Sequence, residues 1–169
     1  MDTIKFVRLP SGELSCESPQ LLPEQVVATI GVFDGVHGGH RFLIEQLKQE
    51  AQRLRLPSAV ITFDTPPVMV VRPDHPFEKL NSNTEREQLL AQTGVDFLFL
   101  LPFDWALAAL SAEEFFRHII TRQLHVHTLL MGYDHHFGRP PKAGDPPTEY
   151  KSLGEKWGVR VLPQEPFFD

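Results

Sequence analysis

Apolar and polar residues follow two periods along this 169-residue chain. Short, nearly continuous apolar runs occur at Val26–Gly31, Ser58–Phe63, Asp96–Leu101, His127–Met131 and Val159–Leu162. Runs of this length suit parallel strands covered on both faces. Between them the spacing turns helical. Leu43, Leu47, Ala51 and Leu54 fall on one face of a helix predicted over Gly39–Leu54. A helix over Thr84–Thr93 opens on Thr84 and Glu87, spaced as a capping box, and stops at Gly94. Ser111-Ala-Glu-Glu114 is a second capping box and opens a helix over Ser111–Leu124. A last helix is predicted over Pro147–Trp157, ended by Gly158.

Strand and helix alternate almost throughout, which predicts an α/β fold with a mainly parallel five-stranded sheet flanked by helices. Right-handed crossovers then place the first strand centrally and open a ligand crevice at the carboxyl ends of the strands. The turns after the first and fourth strands both lie at such ends. Two proline-rich stretches, Thr65–Asn83 and Gly138–Pro147, also leave strand ends. They are either covers for the site or plain solvated connections.

Length fits one domain over residues 1–169, with its core at about 26–162. The 41% apolar content fits a globular core. The balance of 16 Lys+Arg against 22 Asp+Glu gives −6, and with no basic run it argues against a nucleic-acid partner. Cys16 is the one cysteine; it excludes an internal disulfide and a cysteine-held zinc, and points to a reducing compartment. Met1–Lys5 does not begin a signal peptide of the usual form. No apolar run reaches the roughly 20 residues needed to span a bilayer. A cytoplasmic protein with no membrane partner is expected.

The chemistry concentrates at Thr29-Ile30-Gly31-Val32-Phe33-Asp34-Gly35-Val36-His37-Gly38-Gly39-His40. A strand meets a glycine-rich turn, and a helix follows at once. Unpaired N–H groups and the positive end of the helix dipole suit a phosphate there. Glycines let the backbone approach a ligand, and two histidines spaced H-x-G-H add side-chain donors where phosphoryl charge builds up.

This string resembles the H-x-G-H signature of the nucleotidyltransferase superfamily. The longer G-x-F-D-G-V-H-x-G-H is similar to its FMN adenylyltransferase branch, the N-terminal FAD synthetase domain of prokaryotic bifunctional riboflavin kinase/FAD synthetase. Further matches follow in order. Thr62-Phe63-Asp64-Thr65-Pro66-Pro67 is similar to T-F-[DE]-P-H-P, and Leu90 to Asp96 to L-x-x-x-G-V-D. Leu110 to Phe115 matches L-S-x-E-x-F, Gly132 to Gly138 matches G-x-[DN]-F-x-F-G, and Gly144-Asp145 matches a downstream glycine-aspartate pair. The chain departs from the family at Pro66, where a histidine is usual, at His135, where an aromatic is usual, and at His136, where a basic residue is usual. It carries no I-S-S-T-x-I-R element and no riboflavin kinase domain. Either it is cut from a longer protein or it is a reduced relative; the end at Phe167-Phe168-Asp169 favours the first.

The resemblance implies a Rossmann-like nucleotidyltransferase fold and transfer of AMP from ATP to FMN, giving FAD and pyrophosphate. His37 and His40 would be catalytic, donating to the ATP phosphates. Gly31, Phe33, Asp34, Gly39 and His40 would bind ATP. Phe63, Asp64, Asp134 and Phe137 would lie on the flavin side. Magnesium, Mg2+, would ride on the ATP phosphates, and no protein ligand for it is evident in the sequence. Plainer roles stand beside these: Asp34 and Asp134 as turn-formers, Phe63 and Phe137 as core aromatics. A zinc pair at His37 and His40, completed by His135 and His136, is a further reading. Two other functions stay open. One is a nucleotidyltransferase with a different phosphate acceptor; the other is a non-catalytic flavin- or nucleotide-binding module.

Overall fold

A computed structural model describes residues 1–33, 38–65, 83–132 and 135–164. The apolar runs form strands β3 (Val26–Ile30), β4 (Ser58–Phe63), β5 (Phe97–Leu101), β6 (Val126–Met131) and β7 (Arg160–Pro163). Every residue of β3 and β4 is buried, which is why these strands read as continuous apolar runs and not as alternation. Helix α1 spans Gly38–Leu54 and α2 spans Asn83–Ala91.

The expected sheet of five strands is in fact one of seven among the described residues, ordered β2-β1-β5-β4-β3-β6-β7. The two additional strands are β1 (Asp2–Arg8) and β2 (Leu14–Cys16). β1 turns Ile4 and Phe6 inward and keeps Asp2, Lys5 and Val7 exposed, a short alternation carrying charge. β2 has only three residues, too few to show a period. β1 runs parallel to β5, and β2 closes the edge antiparallel to β1. All other neighbours are parallel.

β3 lies between β4 and β6. The chain builds outward from β3 through β4 to β5, then crosses back to lay β6 on the other side of β3. That reversal is the switch point at which open α/β sheets leave a crevice beyond the carboxyl ends of the strands.

Helices cover both faces. On one, Leu43, Ile44, Leu47 and Ala51 of α1 and Leu90 of α2 pack against Val27, Val60, Leu98 and Leu130. On the other, Phe115, Phe116, Ile119 and Ile120 meet Ile30, Ile61, Phe99 and Leu129. Successive strand residues point to opposite faces, so each strand serves both layers.

The helices of the second face depart from the sequence expectation. Trp105–Ala108 forms a one-turn helix, α3, capped by Asp104, whose carboxylate accepts from the Leu107 N–H at 2.9 Å. Four residues are too few for a period to register. The expected helix over Ser111–Leu124 starts with the capping box of Ser111 and Glu114 in place. It is α-helical only over Ala112–Phe115 (α4) and continues as a π-helix over Phe116–Thr121. A wider turn keeps the overall helical pattern and so escapes it. α5 covers Tyr150–Lys156, shorter than expected at its start. The capping box expected at Thr84 is not formed as such: Thr84 lies inside α2, and Glu87 accepts from the Thr3 hydroxyl of β1. Among the described residues no helix is long and apolar enough to cross a membrane.

Candidate active site

The exit of β3 is tightly fastened. The Gly31 N–H donates to the Ile61 carbonyl at 3.0 Å, extending the pairing with β4. Phe33 follows with φ of 56°, in the left-handed region that bulky residues rarely occupy. Its ring is 1% exposed and folds back over Gly31, where a Cβ would come within 2.8 Å of Phe33 Cε2. The glycine is therefore a requirement of the ring above it. The Val32 carbonyl accepts from Thr62 Oγ1 at 3.0 Å and from Arg86 Nη1 at 2.9 Å. Arg86 Nη2 also donates to the Phe63 carbonyl at 2.6 Å.

α1 begins at Gly38 and carries His40 in its first turn. The His40 ring stands 4.9 Å from the Phe33 ring, at 49°. A 17-residue helix with its amino end at the crevice presents partial positive charge there.

The exit of β6 lies on the other side of β3 from that of β4. A Cβ on Gly132 would be 3.8 Å from Leu43 Cδ2, so this exit runs beside the first turns of α1. The His135 N–H donates to the Gly132 carbonyl at 3.1 Å. Phe137 is buried against Phe115, Phe116 and Tyr150, with ring centroids 5.1, 5.0 and 4.9 Å away. The Tyr150 hydroxyl accepts from the Phe137 N–H and donates to the Phe137 carbonyl, both at 3.1 Å. Burial raises the pKa of that phenol above its ordinary value and keeps it a donor. Gly138, with φ of 82°, lies so close to α4 that a Cβ would be 2.4 Å from the Ala112 nitrogen.

Among the sequence candidates, Gly31, Phe33, Gly39 and His40 gather at the β3–α1 junction. Phe63 and Asp64 stand at the end of β4. The Phe63 ring is buried and meets Phe103 edge-on at 5.2 Å, while Asp64 Oδ1 accepts from the Phe103 N–H at 3.2 Å and ties the β4 exit to that of β5. Phe137 has its ring in the core of the second face. His37, Asp34 and Asp134 lie outside the described residues, and so does the zinc reading that needs His37. Of the two candidate covers, residues 66–82 also lie outside them. The other is anchored where the Arg139 N–H donates to the Leu110 carbonyl at 2.6 Å. From there residues 140–147 are exposed and border an open groove of about 660 Å³ beside α5.

Two residues that hold the site were not among the candidates. Arg86 is buried although charged; its spacing four residues before Leu90 put it on the inward face of α2, a signal present in the sequence. Thr62 is a buried hydroxyl in an apolar strand.

A bifunctional riboflavin kinase/FMN adenylyltransferase of Escherichia coli K12 is 37% identical over 122 residues, covering 72% of this chain and 38% of that protein. Proteins of the same description from Pseudomonas fluorescens and Listeria monocytogenes are 38% and 33% identical, covering 66% and 67% of this chain and 36% of each relative. The chain thus spans well under half the length of the relatives it matches. The crystal structure of a macrolide-efflux protein from Streptococcus pneumoniae aligns with a TM-score of 0.72 at 28% identity, over 96% of this chain and 52% of that one. Residues 20–167 match the family model of FAD synthetase. With most of its length inside that match, this chain belongs to the FAD synthetase family.

Proposed function

We propose that this domain transfers AMP from ATP to FMN. An FMN phosphate oxygen attacks the α-phosphorus of ATP, the bond from that phosphorus to the bridging oxygen breaks, and FAD and pyrophosphate form. The observation that carries this reading is the Phe33–His40 pair at the exit of β3, at the sheet's switch point, with the β6 exit at Gly132 running beside Leu43 of the same helix, in a chain of the FAD synthetase family.

Such a reaction needs alignment and charge stabilisation more than covalent catalysis. His40 would donate to phosphate oxygens as charge grows on them, with His37 as its partner in the motif. The amino end of α1 adds its dipole. Gly31, Phe33, Asp34 and Gly39 would shape the ATP side. Asp64 and Asp134 would face the flavin side, with Phe63 and Phe137 supporting that wall from within the core. The divalent cation that phosphate chemistry uses, read here as Mg2+, would neutralise charge on the nucleotide. It takes hard oxygen donors, and the Asp64 carboxylate at the β4 exit is of that type. Cys16, free of any disulfide, fits a reducing compartment, and we place the protein in the cytoplasm.

The test is to incubate the chain with FMN, ATP and magnesium and to follow FAD by chromatography. FAD that is lost on His40→Ala or His37→Ala supports the reading. Binding of FMN and ATP without turnover would replace it with a binding module. Turnover with another phosphate acceptor alone would replace FMN as the substrate.

A further inference from the structure

Arg86 heads the large side chains that are fully buried among the described residues, at 1% exposure. A guanidinium removed from water persists only where acceptors meet its donors. Two of those acceptors are main-chain carbonyls: Val32, just past β3, at 2.9 Å, and Phe63, the last residue of β4, at 2.6 Å. One planar group on α2 therefore bridges the exits of two adjacent strands at the crevice. It does so at the residue immediately before Phe33, whose φ of 56° is held only when the surroundings over-determine it. Phe33 in turn bears on His40.

We propose that Arg86 is a positioning residue: by fixing the Val32 carbonyl it holds Phe33 in its left-handed conformation and so sets where His40 stands in the crevice. The catalytic consequence rests on the AMP-transfer reading. The fork geometry of arginine matters here, because a lysine ammonium is a compact point that does not span two carbonyls in the same way. Arg86 touches neither substrate nor reacting atoms in this role.

The test uses Arg86→Met and Arg86→Lys in the full chain, with Ser58→Ala as a control. Ser58 accepts from the Asp96 N–H at 3.0 Å, at the far end of β4, so its loss weakens the fold without touching the crevice. The first readout is the proton NMR of the His40 imidazole without ligand, which the nearby Phe33 ring shifts. Arg86→Met should move these resonances toward their positions in Phe33→Leu, with Arg86→Lys in between and Ser58→Ala at the wild-type values. The second readout is kcat for FAD formation per folded molecule. It should fall by roughly 10²-fold in Arg86→Met, the scale of a misplaced catalytic group, and partly recover in Arg86→Lys. Should Arg86→Met fail to fold, Arg86→Lys carries the same comparison. Unmoved His40 resonances in a folded variant would overturn the positioning role. Moved resonances with unchanged kcat would overturn its catalytic consequence. A wild-type chain that makes no FAD would refute the transfer reading alone, and the His40 resonances would still decide what Arg86 does.

Discussion

The ring of Phe33 lies 4.9 Å from the imidazole of His40, and the same ring covers Gly31 so closely that no Cβ fits beneath it. The strand exit, the buried aromatic and the first turn of α1 are thus one packed unit. Small changes in any member should appear at the histidine.

Replacing the histidine itself separates chemistry from packing. His40 is half-buried and its ring packs on Phe33, so activity of His40→Ala is read per folded molecule, with the urea midpoint measured beside it. FAD formation should fall by roughly 10²–10³-fold in kcat, the usual cost of removing one preorganised donor to developing charge. Turnover at the wild-type level in a folded His40→Ala would remove this side chain from the mechanism.

Gly31→Ala tests the packing without touching a donor. Its Cβ would meet Phe33 Cε2 at 2.8 Å, so the ring must yield. Overpacking of this kind costs about 1–3 kcal/mol. The expected result is a lower urea midpoint together with a reduced kcat, because the displaced ring no longer braces His40. A variant with lost stability and full turnover per folded molecule would show that the brace has no bearing on catalysis.

What was legible in the chain follows from period and length. β4 was readable to the residue, because a six-residue, mostly apolar strand buried on both faces leaves a nearly continuous run. β1 was not, since its inward residues are only Ile4 and Phe6 within a charged segment. The junction of β3 and α1 was legible because an apolar run, a glycine-rich stretch and a helical period follow one another directly in the sequence. Arg86 belongs to a long-range contact: it lies 54 residues from Val32 in sequence, and its role appears only once α2 is laid beside the β3 and β4 exits.

On the opposite wall, Gly138 bears a similar load. It combines φ of 82° with an approach in which a Cβ would sit 2.4 Å from the Ala112 nitrogen and 2.6 Å from its Cα. Backbone cannot step aside as a flexible side chain can. Gly138→Ala should therefore cost about 2–4 kcal/mol, combining left-handed strain with a clash. It should also loosen the packing of Phe137 on Phe115 and Phe116. Equilibrium urea unfolding measures the first, and faster amide exchange at Phe137 the second. A loss below about 1 kcal/mol would mean that the strand exit swings clear of α4 at little cost.

Acid should weaken the fold through Glu50. This residue of α1 pairs with Arg53 one turn on and with Arg160 of β7. The Arg53 hydrogen bond leads in lowering its carboxyl; burial opposes it, and Arg160 adds to the lowering, for a pKa of about 2 against an ordinary 4.5. Glu114 is lowered first by the Ser111 N–H. For Asp104, burial pushes upward, but hydrogen bonds from Arg8 and the Leu107 N–H outweigh it. A carboxyl with a lower pKa in the folded than in the unfolded chain binds fewer protons when folded, so stability falls as pH drops between the two values. The contribution of Glu50 should be complete above its ordinary 4.5 and decline as pH approaches about 2. Glu50→Gln removes that contribution at every pH. It should be less stable than wild type at about pH 6, and the two urea midpoints should converge toward about pH 2. Parallel curves across that range would show that Glu50 ionises alike in the folded and unfolded chains and that its bridge to β7 adds nothing to stability.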